Sequence, residues 1–151
     1  MEKVQSSRMI TAIKTPYTCT GRIDLNAYDK IVKFQIANGT QGIIVGGTTG
    51  EGHLMNWEEH LTLIEHSCDQ FGDKLTIIGN TGSNSTREAL IATKEGFRAG
   101  MHGALQVNPY YGKSNPKGVL YHFESLMDYG PSIIYNVVSR TAQDITPDLV
   151  N

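Results

Sequence analysis

With 151 residues, 39% hydrophobic, 19% charged and a formal net charge of −2, the chain holds about one domain. At that length folding can remove roughly 68–70% of the unfolded surface from water, so a proper core is attainable. A charge so near neutral, with no basic block, argues against nucleic-acid and membrane-surface partners. No apolar run reaches the roughly 18 residues needed to span a bilayer.

In chain order, residues 1–8 read as a polar leader with neither the apolar region of a secretory signal nor an Arg/Ser-rich transit segment. The expectation is a cytoplasmic protein, or one whose transit peptide is absent from this sequence. Met9–Ile13 reads as a first strand, stopped by Thr15-Pro16-Tyr17. Asp24 can cap a helix with Leu25, Tyr28, Ile31, Val32 and Ile36 near helical spacing, ended by Asn38-Gly39. Residues 43–46 predict a second strand. Asn56 or Trp57 opens a helix whose inner face is predicted as Leu61, Ile64 and Cys68. Leu75–Ile78 is the third strand, and Asn84 or Ser85 caps a third helix with Glu88 in its first turns, where the dipole favours a carboxylate. Residues 104–107 form a fourth strand, and Pro116–Met127 a helix with Val119, Leu120 and Phe123 inward. Residues 132–135 form the fifth strand, and Thr146-Pro147-Asp148 starts a last helix. Cys19 and Cys68 make no metal spacing and are expected as reduced thiols. His53, His60 and His66 are spaced by seven and six residues, so they form no i,i+4 metal pair.

The order β-α-β-α-β-α-β-α-β-α, with strands about every thirty residues, suits a (β/α)8 barrel or a doubly wound sheet. Thr15, Thr48-Thr49, Asn80, Tyr110-Tyr111, Tyr135 and Arg140 all follow strand C-termini. Parallel strands share that face, and polar residues after five separate strands are distributed as in a barrel. The expected fold is therefore an incomplete TIM barrel over residues 1–151, comprising about the first five β/α units.

The richest stretch is Gly46-Gly47-Thr48-Thr49-Gly50-Glu51-Gly52, directly after a strand. Four glycines in seven residues keep Cβ atoms off the backbone, so two hydroxyls and free N–H groups can face a small carboxylate. It carries neither the Lys-Ser/Thr ending of a phosphate loop nor G-x-G-x-x-G. The same residues also fit a tight turn with polar decoration.

Together with Asn108-Pro109-Tyr110-Tyr111 and Tyr135-Asn136-Val137-x-x-Arg140-Thr141, that stretch resembles the dihydrodipicolinate synthase family. The run from Gly79 to Ala89, and Trp57, are similar to its plant branch. The resemblance implies the N-terminal part of a TIM-barrel lyase that condenses pyruvate with L-aspartate 4-semialdehyde in the diaminopimelate route to lysine. It implies a chloroplast location and no cofactor beyond a lysine Schiff base with pyruvate. By motif, Thr48, Tyr111 and Tyr135 match a proton relay, with Tyr111 lent across a tight dimer interface. Thr49 matches the pyruvate-carboxylate contact, and Arg140 the residue receiving the semialdehyde's carboxylate. His53, Trp57, His60, Asn84, Glu88 and Tyr110 match the site at which L-lysine acts as feedback effector. Trp57 alone would read as a core or interface aromatic, and Glu88 as a helix-dipole carboxylate.

The chain also departs from that family. The Schiff-base lysine belongs to a sixth strand and has no counterpart here; of the lysines present, only Lys14 lies near the mouth face, and no motif gives it the amine's role. Where the family usually has Tyr-Asn-Val-Pro-x-Arg-Thr-Gly, Val138 replaces the proline and Ala142 the glycine. Ala142 is expected to be strained if its position needs φ > 0. Open edges at strands one and five are expected to invite association. The readings are thus a lyase in part or truncated form, a non-catalytic partner of full-length subunits, or a degenerate product without a stable fold.

Overall fold

The four long helices start on local chemistry. The computed structural model describes residues 2–150, and Met1 and Asn151 lie outside them. Asp24 accepts from the Ala27 amide to cap α2 (Leu25–Ala37). Asn56 and Glu59 form a reciprocal capping box that opens α3 (Trp57–Phe71), satisfying two donors the helix cannot. Ser85 caps α4 (Thr86–Arg98), and Asn115 with Pro116 opens α5 (Pro116–Met127).

Five strands alternate with these helices: β1 (Ile10–Ala12), β2 (Gly42–Val45), β3 (Thr76–Asn80), β4 (Gly103–Val107) and β5 (Ser132–Tyr135). All pairings are parallel, and the order is β1-β2-β3-β4-β5. A doubly wound sheet reverses its order at a switch point. Here the order never reverses, so the sheet is five consecutive β/α units of a TIM barrel, a half-barrel.

The main core lies between the sheet's outer face and the helices: Ile43, Val45, Ile77 and Ala104 meet Tyr28, Val32, Leu63 and Ile64. A second cluster joins Val119 and Phe123 to Ile145. Two predicted helix faces need correction. On α3 the buried residues are His60, Leu63, Ile64, Ser67 and Phe71, while Leu61 and Cys68 are only half-buried. Ser67 escapes an apolar pattern because its hydroxyl is satisfied, bonding the Tyr28 hydroxyl at 2.8 Å and donating to Leu63 O at 2.7 Å. On α5, Leu120 faces solvent and His122 is buried instead. The His122 ring bonds Val107 O at 3.1 Å and the Thr86 hydroxyl at 2.8 Å, which makes a polar residue tolerable there.

The stretch read as a polar leader contains a short helix, α1 (Glu2–Ser6), at the N-terminal floor of the strands. Lys3 Nζ donates to Gly72 O at 2.6 Å and sits 2.9 Å from His102 Nε2. Thr76, at the start of β3, donates to Lys3 O at 3.1 Å. Among the described residues no helix is long and apolar enough to cross a membrane, and both cysteines are free.

Candidate active site

At the end of β2 the chain turns abruptly. Gly46 has φ +66°, where a side chain is strained, and a Cβ there would overlap the His60 imidazole. A Cβ on Gly52 would overlap Gly46 O, and one on Gly50 would meet Ile13 O at 2.8 Å. The loop closes on itself through Gly50 N–H to Gly47 O at 3.0 Å and Gly52 N–H to the same oxygen at 3.2 Å. Asn80, at the tip of β3, donates to Gly46 O at 2.8 Å and fixes the loop from the neighbouring strand. Thr48 is thereby turned toward the barrel mouth, whereas Thr49 is exposed and does not line the cavity below.

That cavity measures about 400 Å³. Thr48, Tyr135 and Arg140, from the ends of β2 and β5, line it together. So do His53, Trp57, His60, Asn84, Glu88 and Tyr110. Of the eleven residues singled out by sequence, nine share this one cleft, and Thr49 and Tyr111 do not. Tyr111 is 92% exposed and has φ +74°. Ser83 also lines the cleft and was not foreseen. Its hydroxyl donates to Glu88 Oε2 at 3.1 Å and accepts from the Ser85 amide at 3.1 Å. Three hydroxyl or amide residues ahead of a helix were the available clue.

Glu88 occupies the third helical position of α4, where a capping-box carboxylate would fold back on its own helix. Its carboxylate instead accepts from Ser83 and, at 3.4 Å, from Trp57 Nε1 on the cleft wall. Trp57 stacks on His60 with centroids 5.3 Å apart and planes 13° apart. His60 is 3% exposed, and its Nε2 is buried without a hydrogen-bond partner. Burial drives its pKa down from 6.5 to about 4, only partly opposed by a backbone hydrogen bond with Val45. The ring is therefore neutral at physiological pH.

This has a sign. Between pH 4 and 6.5 the unfolded chain binds a proton on this histidine that the folded chain does not, so stability rises with pH across that window. Acidifying from pH 6.5 to 4 is expected to cost up to about 3 kcal/mol through this group. Urea unfolding against pH checks it: His60→Gln should flatten the slope, and an unchanged slope would show that the burial penalty lies elsewhere.

The loop after β5 contains one helical turn, α6 (Val138–Thr141), which carries Arg140. Ala142 ends that turn at φ +55°, so the strain expected from its replacement of glycine is present. Val138 stands at the first helical position, where a proline would fit without loss. Ala142→Gly is expected to stabilise the chain by about 0.5–1 kcal/mol, because glycine accepts the left-handed conformation freely. A urea midpoint that fails to rise would refute the strain.

No lysine lines the cleft among the described residues. Lys14 Nζ lies 3.8 Å from the Glu51 carboxylate, exposed at the rim. No group of three His, Cys, Asp or Glu that could hold a metal is found among the described residues.

Comparison with known proteins agrees with this geometry. The Dihydrodipicolinate synthetase family profile matches residues 5–151. The chloroplastic 4-hydroxy-tetrahydrodipicolinate synthase of Coix lacryma-jobi is 58% identical over 149 residues, covering 99% of this chain and 40% of the relative. The chloride-inhibited dihydrodipicolinate synthase of Acinetobacter baumannii, solved with pyruvate, superposes with a TM-score of 0.91 at 36% identity, covering 95% of this chain and 50% of that one. The enzyme of Cyanidioschyzon merolae, solved with lysine bound, gives 0.90 at 36% identity over the same shares. The chain thus spans about 40% of the plant relative's length and half of each solved chain.

Proposed function

Because the chain belongs to the dihydrodipicolinate synthetase family, we propose that its cleft is built for pyruvate and for the condensation of pyruvate with L-aspartate 4-semialdehyde on the diaminopimelate route to lysine. The family holds pyruvate as a Schiff base on a lysine and needs no metal or external cofactor. The observation that carries the reading is the shared cleft of Thr48, Tyr135 and Arg140 at the strand ends. Thr48 and Tyr135 would pass a proton with Tyr111, since a relay needs hydroxyls that both donate and accept. Thr49, whose side chain stands outside the cavity, would meet the pyruvate carboxylate through its backbone N–H, and the Arg140 fork would take the carboxylate of the semialdehyde. In this reading Tyr111, projecting into solvent, serves the cleft of an adjoining copy.

His53, Trp57, His60, Asn84, Glu88 and Tyr110 form the L-lysine effector site in this proposal. Glu88 meets an ammonium and Trp57 covers the alkyl stem. The plant relative being chloroplastic, the same compartment is proposed here.

The chain by itself supplies no amine in the cleft and is proposed to be inactive alone. A second reading is favoured by the exposed Tyr111: a non-catalytic partner that associates with full-length subunits.

Trp57 is the only tryptophan, so L-lysine binding is expected to change the intrinsic fluorescence saturably. Glu88→Lys should weaken that binding at least about tenfold, by replacing a charge partner with a like charge. A response of the same affinity in Glu88→Lys would remove lysine from this pocket. Co-purification with a full-length relative tests the partner reading, and recovery of the chain without it counts against.

A further inference from the structure

Two loops frame the mouth of the cleft. The one after β4 carries Tyr110 and Tyr111, and the one after β5 carries Arg140. Both are held in conformations their residues do not favour: Tyr111, Lys113 and Ala142 have φ of 74°, 47° and 55°. Something must over-determine them.

Within the loop after β5 the restraints are internal. Thr141 Oγ1 shares its one hydroxyl hydrogen between Gln143 O at 3.0 Å and Val137 O at 3.2 Å. Asn136 Nδ2 donates to Asp144 Oδ1 at 2.7 Å, and Asn136 Oδ1 accepts from the Ile145 amide at 3.3 Å. The segment around Arg140 is thus closed on itself. Among the described hydrogen bonds, one joins it to the loop after β4: Gln143 Nε2 donates to Ser114 O at 2.6 Å. Ser114 lies three residues past Tyr111 and directly after Lys113, at the end of the strained stretch. The other end of the same amide, Gln143 Oε1, is buried without a partner. That half of the amide is desolvated for no return, so what the side chain contributes at this position is the donor.

We propose that Gln143 is a positioning residue: its amide ties the two mouth loops together and so fixes Arg140 relative to Tyr110 across the cleft. The structural part stands on the hydrogen bonds alone. Its consequence for ligands rests on the functional reading above.

The two parts separate in one set of experiments on the whole chain. Gln143→Met keeps the reach of the side chain but removes both the donor and the orphaned acceptor, so its urea midpoint should stay near that of the unmodified chain. Hydrogen exchange should nevertheless show lost protection in residues 110–114 and 137–142 together, with β2 and β3 unchanged. Gln143→Lys restores a donor of similar reach and should return protection to both loops. The proposal is overturned if Gln143→Met leaves both loops protected, loosens only the loop after β5, or loosens the whole sheet. It is also overturned if Gln143→Lys behaves like Gln143→Met. For function, Gln143→Met is expected to weaken L-lysine binding, read by Trp57 fluorescence, about three- to tenfold, the worth of one hydrogen bond. An unmodified chain that ignores L-lysine defeats the effector reading, while the exchange results still decide the role of Gln143.

Discussion

Sodium borohydride added to the chain with pyruvate is expected to leave no pyruvyl adduct on any of its eight lysines. Trapping requires a neutral amine beside the keto acid, and a nucleophilic lysine is made by desolvation or by a neighbouring cation. All eight lysines here are exposed. Lys14, the one near the mouth, is exposed at the rim and faces the Glu51 carboxylate across 3.8 Å, outside the cleft. A complete family member treated in parallel is the positive control, and the difference should be all or none by intact mass. An adduct that maps to Lys14 would show that the cleft recruits an amine from its rim and would end the view that this chain is inert by itself.

Gly46→Ala is expected to destabilise the chain by at least about 3 kcal/mol in urea unfolding. Two costs coincide there. The residue sits at φ +66°, and the new methyl would occupy the space of the His60 ring. His60 has nowhere to go, being buried and stacked on Trp57. The collision can be separated from the backbone cost. Combining Gly46→Ala with His60→Ala removes the obstacle, so the pair should be less damaging than the sum of the singles by about 1–2 kcal/mol. Additive effects would mean that the backbone conformation alone decides the outcome. The same pair should disturb Thr48, two residues on, which gives the cycle a bearing on the site as well as on folding.

The sequence made the barrel legible because polar residues followed five different strands, and a sheet of unreversed order is what the pairing shows. Helix α5 and strand β5 lie where their caps and apolar runs put them. Part of the faces of α3 and α5 was misread for one reason. Ser67, His60 and His122 are buried through hydrogen bonds or ring stacking, and apolar spacing is blind to both. The strain at Ala142 was readable only against the family's glycine; nothing in the chain's own spacing announces a left-handed residue. The one-turn helix α6 was missed because four residues carry no periodicity. The shared cleft of Glu88 and Thr48 was not legible either. Glu88 satisfies a helix-dipole reading fully, and its turn toward Trp57 depends on Ser83, a contact made only once α4 is docked.

Helix α1 is pinned to the base of the strands by Lys3, and the cleft opens at their opposite ends. An affinity handle or surface tether joined ahead of Glu2 therefore emerges on the far side of the molecule from the mouth. Immobilised that way, the chain presents its cleft and Tyr111 outward, which suits it to capture experiments with full-length subunits.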